Sequence, residues 1–264
     1  MLLNRFFAHL DRIFFLKINI WNFSYRSFFK EYAGLFFFKV LLAHPKRTIL
    51  GLRRYRHFIR QQEAIPALYE QYVSIPDENS FLSRIKKQRV RPLLGLGFCL
   101  KPKNSFEASC PSGRANHDCL YLERGKTEQV CSSCAIHTIA KKCLETGCRV
   151  YIMTSAQDIA RDFLLPQVKS GKFPSAILLL CPYSIQAIIL PLLISEVDMF
   201  LMAYKSGSCR DYQQWRDADK GKKEEMTEIS KESWERLLDL LRKSADVGPR
   251  FQYFRREGNI FFPE

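Results

Sequence analysis

Short apolar runs alternating with amphipathic stretches order the second half of the chain. Residues 149 to 154 (RVYIMT), 176 to 181 (AILLLC) and 199 to 204 (MFLMAY) have the length and β-branched or aliphatic content of buried strands. Between Cys131 and Gly147, the residues Ile136, Ile139, Ala140, Cys143 and Leu144 recur at helical spacing. That pattern predicts a helix opened by a capping Ser132 or Ser133 and stopped by Gly147. Further helices are expected over 156 to 168 and 183 to 194. Strands that alternate with helices predict a parallel sheet with right-handed crossovers, hence a small three-layer α/β domain.

One stretch has two readings. No charge falls between Lys172 and Glu196, a length that also suits a membrane span. Pro174, Pro182 and Pro191 interrupt it, and Pro182 stands where a helix would begin after a buried strand, so a strand followed by a helix is expected. Downstream, Ser230 caps a predicted helix through Trp234, Leu237, Leu238 and Leu241. Apolar residues on both sides of Glu257-Gly258-Asn259 predict a terminal hairpin.

The first quarter of the chain has a different character. Ten of the 21 Phe residues lie in residues 1 to 42, and Leu3, Phe6, Phe7, Leu10, Phe14 and Phe15 recur at helical spacing. This segment either lies along a lipid interface or folds as a helical hairpin onto the main domain. Residues 1 to 60 hold 12 Lys and Arg against only Asp11 and Glu31, within a chain of net charge +14. Such a focus of basic charge predicts an anionic partner, a membrane surface in the first place or nucleic acid as the alternative. The turn-rich Pro76 to Ser80 marks a boundary. The expected organisation is therefore a basic helical extension over 1–75, a cysteine-rich α/β domain over 81–247 and a tail over 248–264.

Composition then narrows the chemistry. Nine cysteines is an odd count, and no apolar leader with a small-residue cleavage site opens the chain, so a secreted disulfide framework is not expected. A cytoplasmic protein, peripheral on the inner face of a membrane, is. In that compartment clustered cysteines serve as metal ligands or redox groups more than as bridges. Eight of the nine fall between Cys110 and Cys209. A helix that leads into a parallel strand starts at the edge where the strands finish, which places Cys131 and Cys134 there. Cys181, Cys209, Thr154 and Ser155 follow strand ends and belong to the same edge, where open α/β sheets bind ligands. Cys143 and Cys148 are expected in the core.

The Cys131-Ser132-Ser133-Cys134 spacing brings two thiolates within reach of one metal, and Cys110 and Cys119 can complete a four-thiolate shell for Zn²⁺ or an iron–sulfur cluster. His117 and His137 are possible substitute ligands. Thr154, Ser155, Cys181 and Cys209 would line the adjoining crevice. A thiol redox enzyme built on Cys131 and Cys134, and a nucleic-acid-binding module with a structural zinc site, are the alternatives. Gly95-Leu96-Gly97 lacks the third glycine and the following helix of a phosphate-binding loop.

Several landmarks together, namely Cys99 in LGFCLKP, Cys110-Pro111, the run CSSCAIHTIAKKCLETGCRVYI, Cys181 closing LLLC and the GSC loop at Cys209, resemble an uncharacterised prokaryotic family, the domain of unknown function numbered one hundred and sixteen. The resemblance covers roughly residues 95 to 240. It implies an α/β fold with clustered cysteines, often behind a membrane-associated N-terminus. Where the family carries a further cysteine before the C-x2-C pair and a glycine after the first strand, this chain has Glu128-Gln129-Val130 and Met153-Thr154-Ser155.

Overall fold

The computed structural model describes residues 37–62, 70–88, 91–103, 109–210, 212–245 and 251–264. The expectations for residues 1 to 36 lie outside the described residues. Seven strands form one mixed sheet in the order β1-β5-β4-β2-β3-β7-β6. They are β1 (Glu70–Val73), β2 (Leu93–Gly97), β3 (Arg149–Met153), β4 (Ser175–Leu180), β5 (Asp198–Ala203), β6 (Phe254–Glu257) and β7 (Ile260–Pro263).

The four central strands β5, β4, β2 and β3 are parallel, as their near-continuous apolar sequences require. β1 adds antiparallel to β5, and the predicted hairpin β6–β7 adds antiparallel to β3. The sheet is thus wider than the three strands read from the sequence. The unread central strand is β2, LLGLG, whose glycines weaken its strand signal. A Cβ at Gly95 would lie 2.4 Å from Leu178 Cδ2 and 3.0 Å from Met153 Sδ, so the glycine lets the neighbouring strands' side chains close over it.

Alternate side chains of each strand feed two cores, giving the three layers. Leu94, Leu96, Val150, Ile152, Ile177 and Leu179 face one core with α2 (Glu78–Gln88), α3 (Leu120–Arg124), α4 (Ala135–Thr146) and α9 (Lys231–Ser244). α8 (Tyr212–Asp219) joins this core through Ala218. Leu93, Tyr151, Met153, Leu178 and Leu201 face the other, with α1 (Pro45–Gln62) and α7 (Pro182–Ser195). The connection from β3 to β4 runs through α5 (Ala156–Ile159), a π-helical segment (Ala160–Leu164) and α6 (Leu165–Ser170) on that second face.

Several local expectations are met. The uncharged stretch 173–195 is β4 followed by α7, with Pro182 in the first turn of the helix. Among the described residues no helix is long and apolar enough to cross a membrane. The Ser230 hydroxyl accepts the Ser233 N–H and caps α9. Cys143 and Cys148 are fully buried.

One cap is corrected. Residues Gln129–Ser133 form a 3₁₀ turn, α4 starts only at Ala135, and its N-cap is Cys134. Ser132 and Ser133 instead donate back to the Gln129 and Val130 carbonyls. Both serines lie before the N-cap position, from which a side-chain oxygen would accept the first free N–H groups of the helix.

α1 packs closely on α7. A Cβ at Gly51 would sit 2.4 Å from Ile194 Cγ1 and 2.9 Å from its Cα, so only a glycine permits this approach. Part of the basic charge of α1 is used within the fold: Arg47 donates to the Val168 carbonyl, and Arg47 and Arg54 pair with Glu196. Ile49 and Leu50 stay exposed beside Lys46 and Arg53.

Candidate functional site

The crossover that follows β2 lies on one face of the sheet and the one that follows β4 lies on the other. Their strands are neighbours, so a topological switch opens between them at the carboxyl edge, the place where such sheets form crevices. A cavity of about 210 Å³ lies there. Gly97 at the end of β2 and Cys99 beyond it, Thr154 and Ser155 beyond β3, Cys181 beyond β4, and Tyr204 and Cys209 beyond β5 all line it. Thr154, Ser155, Cys181 and Cys209 therefore line one cavity at the sheet edge. Leu41, Leu52, Ile188 and Ile194 extend the cavity as an apolar wall.

Cys110, Cys119, Cys131 and Cys134 do not share that crevice. They line a second, smaller cavity of about 20 Å³ together with Lys101 and His137. The single rim inferred for all the thiols is thus two compartments. The 3₁₀ turn Phe98–Leu100 separates them along the chain: Cys99 belongs to the first, Lys101 to the second.

Helix starts hold two of these four thiols. Cys134 is the N-cap residue of α4, so its sulfur lies near the first N–H groups of the helix without a capping hydrogen bond. Cys119 stands in the same position before α3, again without a capping hydrogen bond. Burial nevertheless pushes both thiols up, which opposes ionisation of Cys134 as a free nucleophile and disfavours a reactive Cys131/Cys134 dithiol. His137 Nδ1 lies 2.8 Å from the Cys131 carbonyl, so this nitrogen carries the proton and Nε2 is left as a buried acceptor without a partner.

Lys101 is the unexpected member of the group. Its side chain is 1% exposed, and its ammonium donates to the Gly113 carbonyl (3.0 Å), the Asn116 carbonyl (2.9 Å) and side chain (2.6 Å), and the Asp118 carbonyl (2.7 Å). All four acceptors are neutral. Desolvation pulls its pKa down, and the anionic forms of Cys110, Cys119, Asp118 and Cys134 act in the opposite sense.

The four sulfurs are not closed around a point. Among the described residues, the group whose ligand atoms all lie within 4.8 Å of one another is His117, Asp158 and Asp162, and no trio of the cysteines meets that limit. A zinc ion about 2.3 Å from each thiolate would hold the sulfurs about 3.8 Å apart. Ion capture would thus have to draw in Cys110 and Cys119, the two half-buried members on irregular chain.

His117 stands at the crevice side rather than with the four cysteines. Its Nδ1 lies 2.6 Å from the Ile152 carbonyl and its Nε2 3.1 Å from Thr154 Oγ1 and 3.4 Å from Asp158 Oδ2. Hydrogen bonds from His117, Thr154 and Ser155 hold the Asp158 carboxyl well below the usual carboxylate range. Arg161 donates to Asp158 and Asp162, and Asn259 donates to Asp162. The three ligand atoms are close enough to share an ion, but a guanidinium already balances both carboxylates. Thr154 and Ser155 are accordingly engaged with Asp158 as well as lining the crevice.

Asp219 closes the same crevice and accepts the Ala156 N–H at 2.7 Å. Burial pushes its carboxyl up to about 6. The folded chain therefore binds this proton more tightly than the unfolded chain, whose Asp titrates near ~4. Stability falls as pH rises from about 4 to 6, and above that the charged form is penalised. We expect Asp219→Asn, which keeps the acceptor for Ala156, to add on the order of 1–2 kcal/mol at pH 8 after allowance for partial exposure, and nearly nothing at pH 4. Urea unfolding at the two pH values checks it; a larger gain at pH 4 would refute the burial argument.

Comparison with family models, with curated proteins and with solved structures returned no match. What the fold and the site define is a cysteine-rich α/β protein with nine free cysteines and two thiol compartments at one edge of a mixed, largely parallel sheet.

Proposed function

We propose that the protein is a metalloprotein in which Cys110, Cys119, Cys131 and Cys134 hold Zn²⁺ or an iron–sulfur cluster, behind a ligand crevice at the sheet edge. The resemblance to the cysteine-rich family of unknown function, which implies clustered cysteines on an α/β fold, is in keeping with this reading. The observation that carries the reading is the burial of the Lys101 ammonium, bonded only to neutral oxygens, against four thiols that come from three separate pieces of chain. A buried cation is strongly unfavourable when its charge is not balanced, and the nearby Asp118 carboxylate is already paired with Arg256. A metal ion carrying four thiolates has a net negative charge and would supply that counter-charge.

Two further features agree. The N–H groups at Cys119 and Cys134 suit thiolate sulfur better than neutral thiol, and the unpartnered His137 Nε2 offers a neutral donor beside them. The bound group would supply either a structural clamp for the 109–134 segment, if zinc, or electron transfer, if a cluster. The cavity's small volume has room for one ion, toward which the sulfurs would have to close, whereas a cluster would need the cysteine loops to open.

Anaerobic purification with iron, sulfide and zinc analysis tests the proposal. We expect a stoichiometric metal that Cys131→Ser and Cys134→Ser each abolish, with a visible band that bleaches on reduction if the metal is iron. Metal-free protein that remains folded, with all four thiols alkylated at ordinary rates, would overturn it.

A further inference from the structure

Cys181 closes β4 and is the N-cap of the 14-residue helix α7. Its sulfur accepts the Cys209 backbone N–H at 3.4 Å, which brings the two cysteines together at the sheet edge. Lys223 Nζ lies 3.6 Å from Cys209 Sγ. All three residues line the larger cavity, the apolar crevice described above. The neighbouring Cys209 draws the Cys181 thiol well below its ordinary value in spite of burial, and Cys181 in turn pushes the Cys209 thiol up. Cys99, the third thiol of the crevice, behaves differently: burial pushes it up to about 11, and Thr227 Oγ1 donates to its sulfur at 3.2 Å. A sulfur that sits at a helix start and accepts a backbone N–H, a second cysteine beside it and an ammonium on that second sulfur make an asymmetric pair, which is what a nucleophile with a resolving partner requires.

We propose that Cys181 and Cys209 are a thiol–disulfide exchange couple, with Cys181 as attacking sulfur and Cys209 as resolving sulfur, acting on small disulfides with apolar arms that enter the sheet-edge crevice. This inference stands apart from the four-cysteine reading, because none of the proposed metal ligands takes part.

In the first step the Cys181 thiolate attacks one sulfur of R–S–S–R. The substrate's S–S bond breaks, the mixed disulfide Cys181–S–S–R forms, and the departing RS⁻ takes a proton from solvent. With Cys181 now uncharged, Cys209 gives its proton to solvent, a loss that the Lys223 ammonium favours. Cys209 sulfur then attacks Cys181 sulfur, and the second RS⁻ leaves and is protonated. Two electrons pass from the protein thiols to the substrate: R–S–S–R and the dithiol become two R–SH and a Cys181–Cys209 disulfide. A small-molecule thiol reverses the sequence and restores the dithiol. The apolar wall of Leu41, Leu52, Ile188 and Ile194 selects apolar arms over charged ones.

The test uses the full chain, reduced and with whatever metal it carries, and a pyridyl disulfide as probe, because the released thione absorbs light. Limited reaction followed by peptide mapping is expected to find a 181–209 cross-link as the first product, with two thiones released for each. Cys209→Ser should release one and stall as a mixed disulfide on Cys181, while Cys181→Ser should leave Cys209 unmodified. Metal content should be unchanged in both variants, so failure here and failure of the metal site are read separately. Early modification at other cysteines with 181 and 209 unlinked, or absence of a stalled adduct on Cys181 in Cys209→Ser, would overturn the proposal. The wild-type map decides even if a variant fails to fold.

Discussion

Lys101→Met is expected to lower folding stability by about 3 to 5 kcal/mol and to empty the four-cysteine site. Methionine keeps the volume of the lysine stem, so packing is nearly conserved and the effect reports on the ammonium. Its removal leaves the Gly113, Asn116 and Asp118 carbonyls without their donor and the Asn116 side-chain oxygen with the Asp118 N–H alone. Each such group, if kept from water, costs about 1–3 kcal/mol, and the loop can recover part of that only by opening to solvent. That loop carries Cys110 and Cys119, so its opening would remove two of the four proposed ligands. Chemical denaturation and metal analysis on the same preparation check both halves. A variant of unchanged stability with full metal would show that the buried ammonium neither orders the loop nor balances a metal centre. Lys101→Arg should not rescue it, since a planar fork cannot reach four acceptors arranged around a single nitrogen.

Gly207→Ala is expected to be the most damaging single-methyl change, at about 3 kcal/mol, from left-handed backbone of about 1–2 kcal/mol and a forced backbone shift of similar size. Gly207 has φ 65°, and its Cβ would fall 1.8 Å from the Met226 carbonyl oxygen. The segment cannot simply swing away, because Lys205 N–H donates to the Glu228 carbonyl at 2.8 Å and Ser206 bridges Glu228. Gly171→Ala is the control: its φ is also 65°, yet nothing lies within 4 Å of the added methyl. The difference between the two in denaturant unfolding isolates the steric part. Gly207→Ala should also move Cys209 off Cys181 and abolish the 181–209 cross-link while leaving metal content intact. Equal losses in the two variants would contradict the contact with Met226.

The α/β class was legible because β3, β4 and β5 are apolar runs separated by helical periodicity, and that alone placed Cys181 and Cys209 at one edge with Thr154 and Ser155. β2 was not legible, since Gly95 and Gly97 mimic a loop and their role appears only once Leu178 and Tyr204 lie against them. β1 has no apolar run of its own and exists because β5 offers an edge. The candidate ligands Cys110, Cys119, Cys131 and Cys134 were read from spacing; they line one small cavity, but no three of their sulfurs lie within 4.8 Å of one another. What spacing could not give was the partition into two compartments, which depends on the three-residue turn after β2. Lys101 was invisible for a similar reason: a lysine in LGFCLKP looks like any solvated charge until the 113–118 loop is seen to fold over it. Asp158, Asp162 and Asp219 gave no signal, because their partners His117, Asn259 and Ala156 are distant in the chain.

The sharing of α1 between the two parts of the chain limits how the protein can be dissected. Leu41, Thr48 and Leu52 form part of the crevice wall, Gly51 seats the helix on Ile194, and β1 completes the sheet beyond β5. A fragment beginning after residue 75 would therefore lack the roof over the Cys181 helix and present a bare sheet edge, so its poor behaviour in solution would say nothing about thiol chemistry. Trimming back only to residue 36 removes none of these contacts, and is the cut at which lipid attachment and thiol reactivity can be scored as separate traits.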